Sequence, residues 1–442
     1  MHHELLLLFQ EAREANYKQQ GYYYPMKGGN MEVMIERCCG IDVHKSKLTA
    51  CLLVSKPDGK AEKSIKTFST MTSDLLALKD WLEAEGCTHV AIESTGVYWK
   101  PVFNIIEDSI TVILANARDI KNVPGRKTDV KDCEWIADLL RFGLIRASFI
   151  PPKPIRELRD LTRYRTKLIG EMTSEKNRVQ KVLEDANIKL SCVATDIFGT
   201  SGKEMLSALL QAESTPEEMA ELAKGRLRKK IPALIEALRG NVSEHHRYLI
   251  EMGLRHLESM GELIADLDEK IDKAMEPYRE EQKLLMSITG VEKKSAESVI
   301  AEIGVDMSQF PSEKHLASWA GVCPGNNESA GKRKSGKTTK GDTWLQRTLI
   351  QVAHAASKAK NTYLKDKYHR IAGRRGKKRA AMAIAHKILG FAYYILRYRV
   401  PYRDLGEDYL DKLNKDGQEW KLIKRLEALG NKVTIEPVLQ AA

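Results

Sequence analysis

From residue 37 the chain sets short apolar runs between turn-forming polar clusters, a spacing that predicts strands first and alternating helices and strands after them. CCGIDVHKSKLTACLLV reads as two short strands, Pro57-Asp58-Gly59 as a turn and KSIKTFST as a third strand. Helical spacing over 75–85, a buried strand in THVAIEST, a helix over 97–106, a buried strand in TVILAN and a helix in DVKDCEWIADLLRFG follow. The predicted order is β-β-β-α-β-α-β-α. Pro151, Pro152 and Pro154 then punctuate the chain. Beyond them a 3-4 spacing selects Leu158, Leu161, Arg165, Leu168, Met172, Glu175, Val179, Val182 and Ala186, seven of nine apolar. A second stretch, Leu257, Met260, Ile264, Leu267, Ile271 and Ala274, is apolar or small throughout. Separated by a helix-rich insertion (203–238), these helices read as the arms of an antiparallel or intermolecular coiled coil. A bundle packing only on itself is the alternative to a dimerisation arm.

After Pro277, LLMSITGVEKKSAESVIAEIG places two apolar helices about Gly290-Val291, the pattern of a helix-hairpin-helix. Such a turn either meets a nucleic-acid phosphate through its amides or braces its domain. Glu292 stands where a second glycine is usual, and a carboxylate beside a phosphate is unfavourable. Three strands on tight turns followed by alternating elements predict a mixed sheet with helices on both faces, the ribonuclease-H-like arrangement. The fold class is therefore α/β plus α. The expected division is an extension over 1–33, taken as disordered, a sheet domain over 34–150, a helical arm over 151–278, a mainly helical domain over 279–400 and a tail over 401–442.

Composition narrows the class. In 442 residues, 43% hydrophobic and 30% charged, no apolar run is long enough to span a bilayer, and no signal segment opens the chain, so a cytoplasmic, nucleoid-associated protein without membrane contact is expected. Seven scattered cysteines form no C-x-x-C pair and read as reduced core residues. The net charge is +11, yet residues 325–380 alone carry 16 Lys/Arg against 3 Asp/Glu, so the remainder is slightly acidic. A localised basic field is the footprint of a phosphate-backbone binder.

Two constellations bear chemistry. Asp42 lies in the first predicted strand and Glu93 at the end of the fourth, while Asp129 and Asp132 stand at i and i+3 of the helix after the fifth. In a ribonuclease-H-like sheet the first and fourth strands are neighbours, and i, i+3 residues share a helical face. Four converging carboxylates without cationic partners call for hard divalent ions, Mg²⁺ or Mn²⁺, the metal set of phosphodiester cleavage. Asp138 on the same helix should face away. His44, two residues after Asp42, falls near the acids.

The second constellation is the loop SWAGVCPGNNESAGKRKSGKTTKGD. Small residues flank Ser329, and Lys332, Arg333, Lys334, Lys337 and Lys340 follow it. A serine hydroxyl can attack phosphorus when cations hold the phosphate oxygens, storing the bond energy as a phosphoserine ester. A purely phosphate-gripping loop fits these residues as well, and Ser335 competes with Ser329. G-x-x-x-x-G-K-T at 331–338 follows no apolar strand, which argues against a nucleotide-binding loop. Downstream, RIAGRRGKKR supplies Arg374, Arg375, Lys377, Lys378 and Arg379 as further nucleic-acid contacts, with Gly373 and Gly376 marking a turn. Tyr393, Tyr394 and Tyr398 at helical spacing read as core packing rather than base stacking.

GIDVHKSKLTACL, AIESTGVYWKP, NARDIKNVPGRKTDVKDCEWIADLL and SWAGVCPGNNESAGKRKSGKTTKGD together resemble the DEDD-type insertion-sequence transposases, the family that includes the RNA-guided bridge recombinases. The resemblance implies a RuvC-like domain, a coiled-coil arm and a transposase domain with a nucleophilic serine. It makes Asp42, Glu93, Asp129 and Asp132 the metal-binding tetrad and favours Ser329 over Ser335 as nucleophile. It further implies DNA partners (element ends and target), a structured noncoding guide RNA, and a homodimer or homotetramer whose subunits share composite sites. Such a recombinase exchanges strands through a junction-like intermediate. A junction-resolving nuclease using water, or a non-catalytic nucleic-acid scaffold, are the competing readings.

Overall fold

The computed structural model describes residues 33–57, 60–94, 96–116, 120, 132–145, 147–211, 213–325, 327–329, 332–413 and 415–434. The chain divides into two compact units, Met1–Ile150 and Pro151–Ala442. The expected amino-terminal extension, apart from residue 33, lies outside the described residues, as do Asp129 and the loop leading to it.

In the first unit the apolar alternation of Arg37–Val43 (β1) and Lys47–Ser55 (β2) makes an antiparallel pair, extended by Ala61–Ser69 (β3). Thr72–Ala84 (α1) then leads to His89–Glu93 (β4), which pairs with β1 in parallel, and Trp99–Ile106 (α2) leads to Thr111–Ala115 (β5). The sheet order is β3-β2-β1-β4-β5, a mixed sheet of the ribonuclease-H-like kind. Strand alternation sorts its side chains to two cores. Ile41, Val43, Leu48 and Leu52 pack against Leu75, Leu78 and Leu82 of α1 and Val102 and Ile106 of α2. Cys38, Cys51, Leu53 and Ala91 face Asp132–Arg141 (α3) through Cys133, Ile136, Ala137 and Leu140. The outer strand β3 carries Lys63 and Lys66, charges that discourage edge pairing.

The second unit opens on Lys153–Asp185 (α4), with Pro154 in the first turn, where its missing N–H costs nothing. The insertion contributes Leu190–Val193 (α5), Thr200–Gln211 (α6), Pro216–Glu221 (α7) and Ile231–Leu238 (α8), which share a core with Val179 and Leu183 of α4 and with Ile250. Glu244–Ala274 (α9), closed by a Ser243–His246 capping box, returns along α4. The pairing is antiparallel within the chain: Asp185 meets His246, Glu175 meets His256 and Arg165 meets Asp268.

The two polar residues on the apolar stripe of α4 are buried rather than misplaced. Glu175 is held by Arg178 and His256, and Arg165 donates to Asp268 and Glu297, both at 2.8 Å. Arg165→Met is expected to lower unfolding free energy by about 3–5 kcal/mol, because Glu297, 3% exposed, loses its cation in a site closed to water. Urea unfolding of the single variant and of R165M/E297L checks this. The double variant recovers most of the loss if the orphaned carboxylate is its cause.

Arg279–Met286 (α10) and Lys293–Ile303 (α11) form the helical hairpin about Gly290. Glu313–Trp319 (α12) precedes a two-stranded hairpin, Asn327–Ser329 (β6) and Lys332–Ser335 (β7). Thr343–Ala356 (α13), Tyr363–Arg375 (α14) and Lys377–Tyr398 (α15) follow, with α13 and α14 both packed on α15. Gly290, at φ +88, lies so near α13 that an added Cβ would meet the Ala356 nitrogen at 2.7 Å and the Val352 oxygen at 2.9 Å. The turn glycine therefore braces the domain. Residues past 400 also have structure: Asp404 accepts from the Tyr363 N–H at 2.9 Å and from the Tyr402 hydroxyl, and Tyr409–Leu413 (α16) and Lys415–Ala428 (α17) are helical.

Three expectations change. Tyr393 is core, but Tyr398 is 45% exposed and stacks on Tyr394 with rings 4° from parallel. Gly373 lies inside α14, and only Gly376, at φ +85, turns the chain. Five cysteines are buried, whereas Cys192 is exposed and Cys323 half-buried.

Candidate active site

β1 and β4 run in parallel with Gly40 opposite Ala91 and Ile41 opposite Ile92. One residue on, the register brings Asp42 beside Glu93 at the carboxyl ends of adjacent central strands. Alternation sets Asp42 on the face of Gly40 and Glu93 on the face of Ala91, the side covered by α3. Gly40 lets that helix come close: a Cβ there would sit 2.3 Å from the Cys133 carbonyl oxygen and 2.4 Å from the Ala137 nitrogen. Asp132, first residue of α3, is held by this contact at the same end of the sheet. Three of the four candidate acids thus share one sheet end and one face, and the fourth, Asp129, lies outside the described residues.

Other ionisable groups lie near this end of the sheet. Glu134 is taken by Lys63 at 2.7 Å, a hydrogen bond that raises the lysine's pKa. Asp138 is half-buried, and burial raises its carboxyl above the ordinary range, with Arg141 and Lys63 opposing that shift. His44 Nε2 stands 3.2 Å from Asp42 Oδ2, so the imidazole borders the acidic end. Burial pushes the Cys38 and Cys51 thiols up to about 12, which leaves neither as a nucleophile.

The donor set consists of carboxylates, with no thiolate at the site, and suits a hard divalent cation. Among the described residues no three His, Cys, Asp or Glu side chains form a group able to hold a metal.

In the second unit, what reads from sequence as a loop is the β6–β7 hairpin. Its missing signal is physical: Lys332, Arg333 and Lys334 interrupt any apolar alternation. Ser329 pairs with Lys332 at the tip, whereas Ser335 pairs with Asn327 at the stem. Below the strands, the Gly325 N–H donates to the Lys337 carbonyl at 2.8 Å, and Lys340 is exposed.

The remaining cations form a corner. Arg374 and Arg375 end α14, while Lys377, Lys378 and Arg379 open α15, all exposed. Positive charge at a helix C-terminus is favourable, but three cations at the N-terminus of α15 oppose its dipole. No side chain caps that terminus. Uncapped amides and cations together make this helix end electropositive.

Residues 39–188 match the model of the DEDD-type IS110 transposases, and residues 282–369 match that of the transposases of the IS116/IS110/IS902 family. This chain is a DEDD-type IS110-family transposase. No curated protein matches it significantly. The transposase is a DNA-binding enzyme that cleaves and recombines DNA. Its first matched stretch contains the acidic sheet end and α3, and its second contains most of the helical hairpin, the serine hairpin and α13. No helix among the described residues is long and apolar enough to cross a membrane.

Sequence reasoning missed two residues that shape these sites. Gly40 carries no functional group but sets the approach of α3. Arg163, off the apolar stripe of α4, reaches the base of the serine hairpin. Only the glycine of the G-I-D run hints at the first, and nothing local signals the second.

Proposed function

We propose that this transposase exchanges strands between the ends of a mobile element and a target through a covalent serine–DNA intermediate. Asp42, Glu93, Asp129 and Asp132 hold the divalent cations and Ser329 is the nucleophile. The observation that supports the reading is the docking of α3 over Gly40 beside the parallel β1–β4 pair, whose carboxyl ends carry Asp42 and Glu93. Mg²⁺ or Mn²⁺ bound by these carboxylates would neutralise the scissile phosphate and stabilise charge on the entering and leaving oxygens.

The chain's own residues do the rest. Lys332, Arg333, Lys334, Lys337 and Lys340 hold phosphate oxygens around the hairpin, and Arg374, Arg375, Lys377, Lys378 and Arg379 grip the backbone farther along. Ser329 Oγ bonds to phosphorus, the bond from phosphorus to one sugar oxygen breaks, the serine proton leaves, and the freed sugar oxygen takes up a proton. Attack by a sugar hydroxyl on the phosphoserine reverses these changes and rejoins a strand without ATP. Pairing of a structured noncoding RNA with both DNAs, and assembly as a homodimer or homotetramer, belong to this reading on the strength of the family resemblance.

The test incubates the protein with Mg²⁺, element-end DNA and its co-expressed flanking RNA, then resolves the products on a denaturing gel. The expected result is DNA joined to protein, lost on chelation of the cation. Cleavage without an adduct would make the enzyme a hydrolytic nuclease and reduce Ser329 to a phosphate ligand. Loss of cleavage on omitting the RNA, with DNA binding intact, would support guidance.

A further inference from the structure

A guanidinium on the arm holds the base of the serine hairpin. Arg163 of α4 donates from Nε to Glu302 Oε1 and from Nη2 to Glu302 Oε2, both at 2.7 Å, and Nη2 also donates to Asp342 Oδ2 at 2.9 Å. One turn earlier, Arg159 donates to the carbonyls of Ala301, at 3.1 Å, and Glu302, at 2.5 Å. Glu302 is buried, at 3% exposed, and Asp342 is partly buried, its side chain 10% exposed. The Arg163 guanidinium also lies 5.6 Å from the ring centre of Trp344.

Asp342 divides its two oxygens between tasks. Oδ1 accepts the N–H groups of Trp344 and Leu345, each at 2.9 Å, and so caps α13. Oδ2 faces Arg163. The preceding residue, Gly341, lies against Gly321 so closely that a Cβ would meet the Gly321 nitrogen at 2.2 Å. From there the strands of the stem stay joined, by Thr339 N–H to the Cys323 oxygen and Gly325 N–H to the Lys337 oxygen, as far as the hairpin that ends in Ser329. A series of short contacts thus runs from Arg163 through Asp342 and Gly341 to Gly325 and Lys337, which flank the hairpin.

Ionic groups are a costly way to attach one helix to another, since apolar residues of similar volume hold helices at least as well. A planar fork that grips two carboxylates at once adds direction. We propose that Arg163 is a positioning residue for the serine hairpin, fixing the hairpin's base against α4 and α11 through Glu302 and Asp342. The proposal rests on Ser329 as the nucleophile for its catalytic consequence, but not for its structural one.

Two conservative variants of the full-length protein test it. Arg163→Lys keeps a cation beside Glu302 but cannot fork to both acids. Asp342→Asn keeps the cap, since Asn caps helices about as well as Asp, and removes the anion that Arg163 grips. Hydrogen–deuterium exchange of the 332–340 amides is expected to quicken at least about tenfold in both, because the lost fork frees the stem to open locally. Adduct formation on element-end DNA with Mg²⁺ falls about 10- to 100-fold, the cost of a misplaced reacting group. DNA affinity and far-ultraviolet circular dichroism stay as in the parent. Unchanged exchange in the hairpin of a folded variant would overturn the proposal, and if Arg163→Lys fails to fold, Asp342→Asn decides it. An adduct missing from the parent protein would refute the serine reading instead, with exchange still deciding the positioning role.

Discussion

Ser329→Ala is expected to abolish the protein–DNA adduct and to cut strand exchange by at least about 10³-fold, a barrier increase of roughly 4 kcal/mol, while binding of element-end DNA persists. Binding should survive because the proposal gives the phosphates to the cations of residues 332–340 and of the α14–α15 corner, and not to the hydroxyl. Asp42→Asn is expected to lose a similar factor by a different route: one charge and one hard ligand leave the sheet end shared with Glu93 and Asp132. The informative experiment is the double variant. Groups that act on one transition state are grossly non-additive, so S329A/D42N should be no slower than the worse single variant. Two losses that multiply would mean that hydroxyl and carboxylate serve separate reactions. Gel-resolved adduct yield and single-turnover cleavage of labelled DNA, with filter binding across salt concentrations, read all three proteins.

The sheet was legible because its strands obey the rule that makes strands legible. In β1 and β2, Ile41, Val43, Leu48 and Leu52 alternate with Cys38, Cys51 and Leu53, each set facing its own core. From strand order alone, β1 and β4 could be expected side by side, and they are. The arm was legible for a similar reason, yet its polar interruptions were not, since Arg165 and Glu175 find their partners on α11 and α9, far along the chain. Local patterning carries no information about such partners. The serine hairpin failed from the opposite cause: strands as short as Asn327–Ser329 and Lys332–Ser335, rich in charge, leave no period to detect. The candidate acids stand out in the sequence as residue types in order along a topology. What brings α3, and Asp132 with it, close to β1 is a glycine, and a missing side chain is visible only once its neighbour is known.

Gly40→Val is accordingly expected to disable the acidic end without touching an acid. The added Cβ would meet the Cys133 oxygen at 2.3 Å, the Ala137 nitrogen at 2.4 Å and the Ala137 Cα at 3.0 Å. All three atoms are backbone, so no rotamer change relieves them and α3 must move off the sheet. Overpacking of this kind costs roughly 1–3 kcal/mol and more where the obstacle is rigid. The displacement also carries Asp132 away from Asp42 and Glu93, and an error of about 1 Å at a reacting centre can cost 10²-fold in rate. The expected phenotype is a lower melting midpoint, cleavage reduced at least about 10²-fold, and DNA binding retained by the cations of the second unit. Gly170→Ala is the matched control: nothing lies within 4 Å of a Cβ there, in the middle of α4, and alanine should stabilise that helix by about 0.5–1 kcal/mol. Gly40→Val with parental cleavage would show that α3 does not set the geometry of the acids, and the case for a shared centre at that sheet end would fall with it.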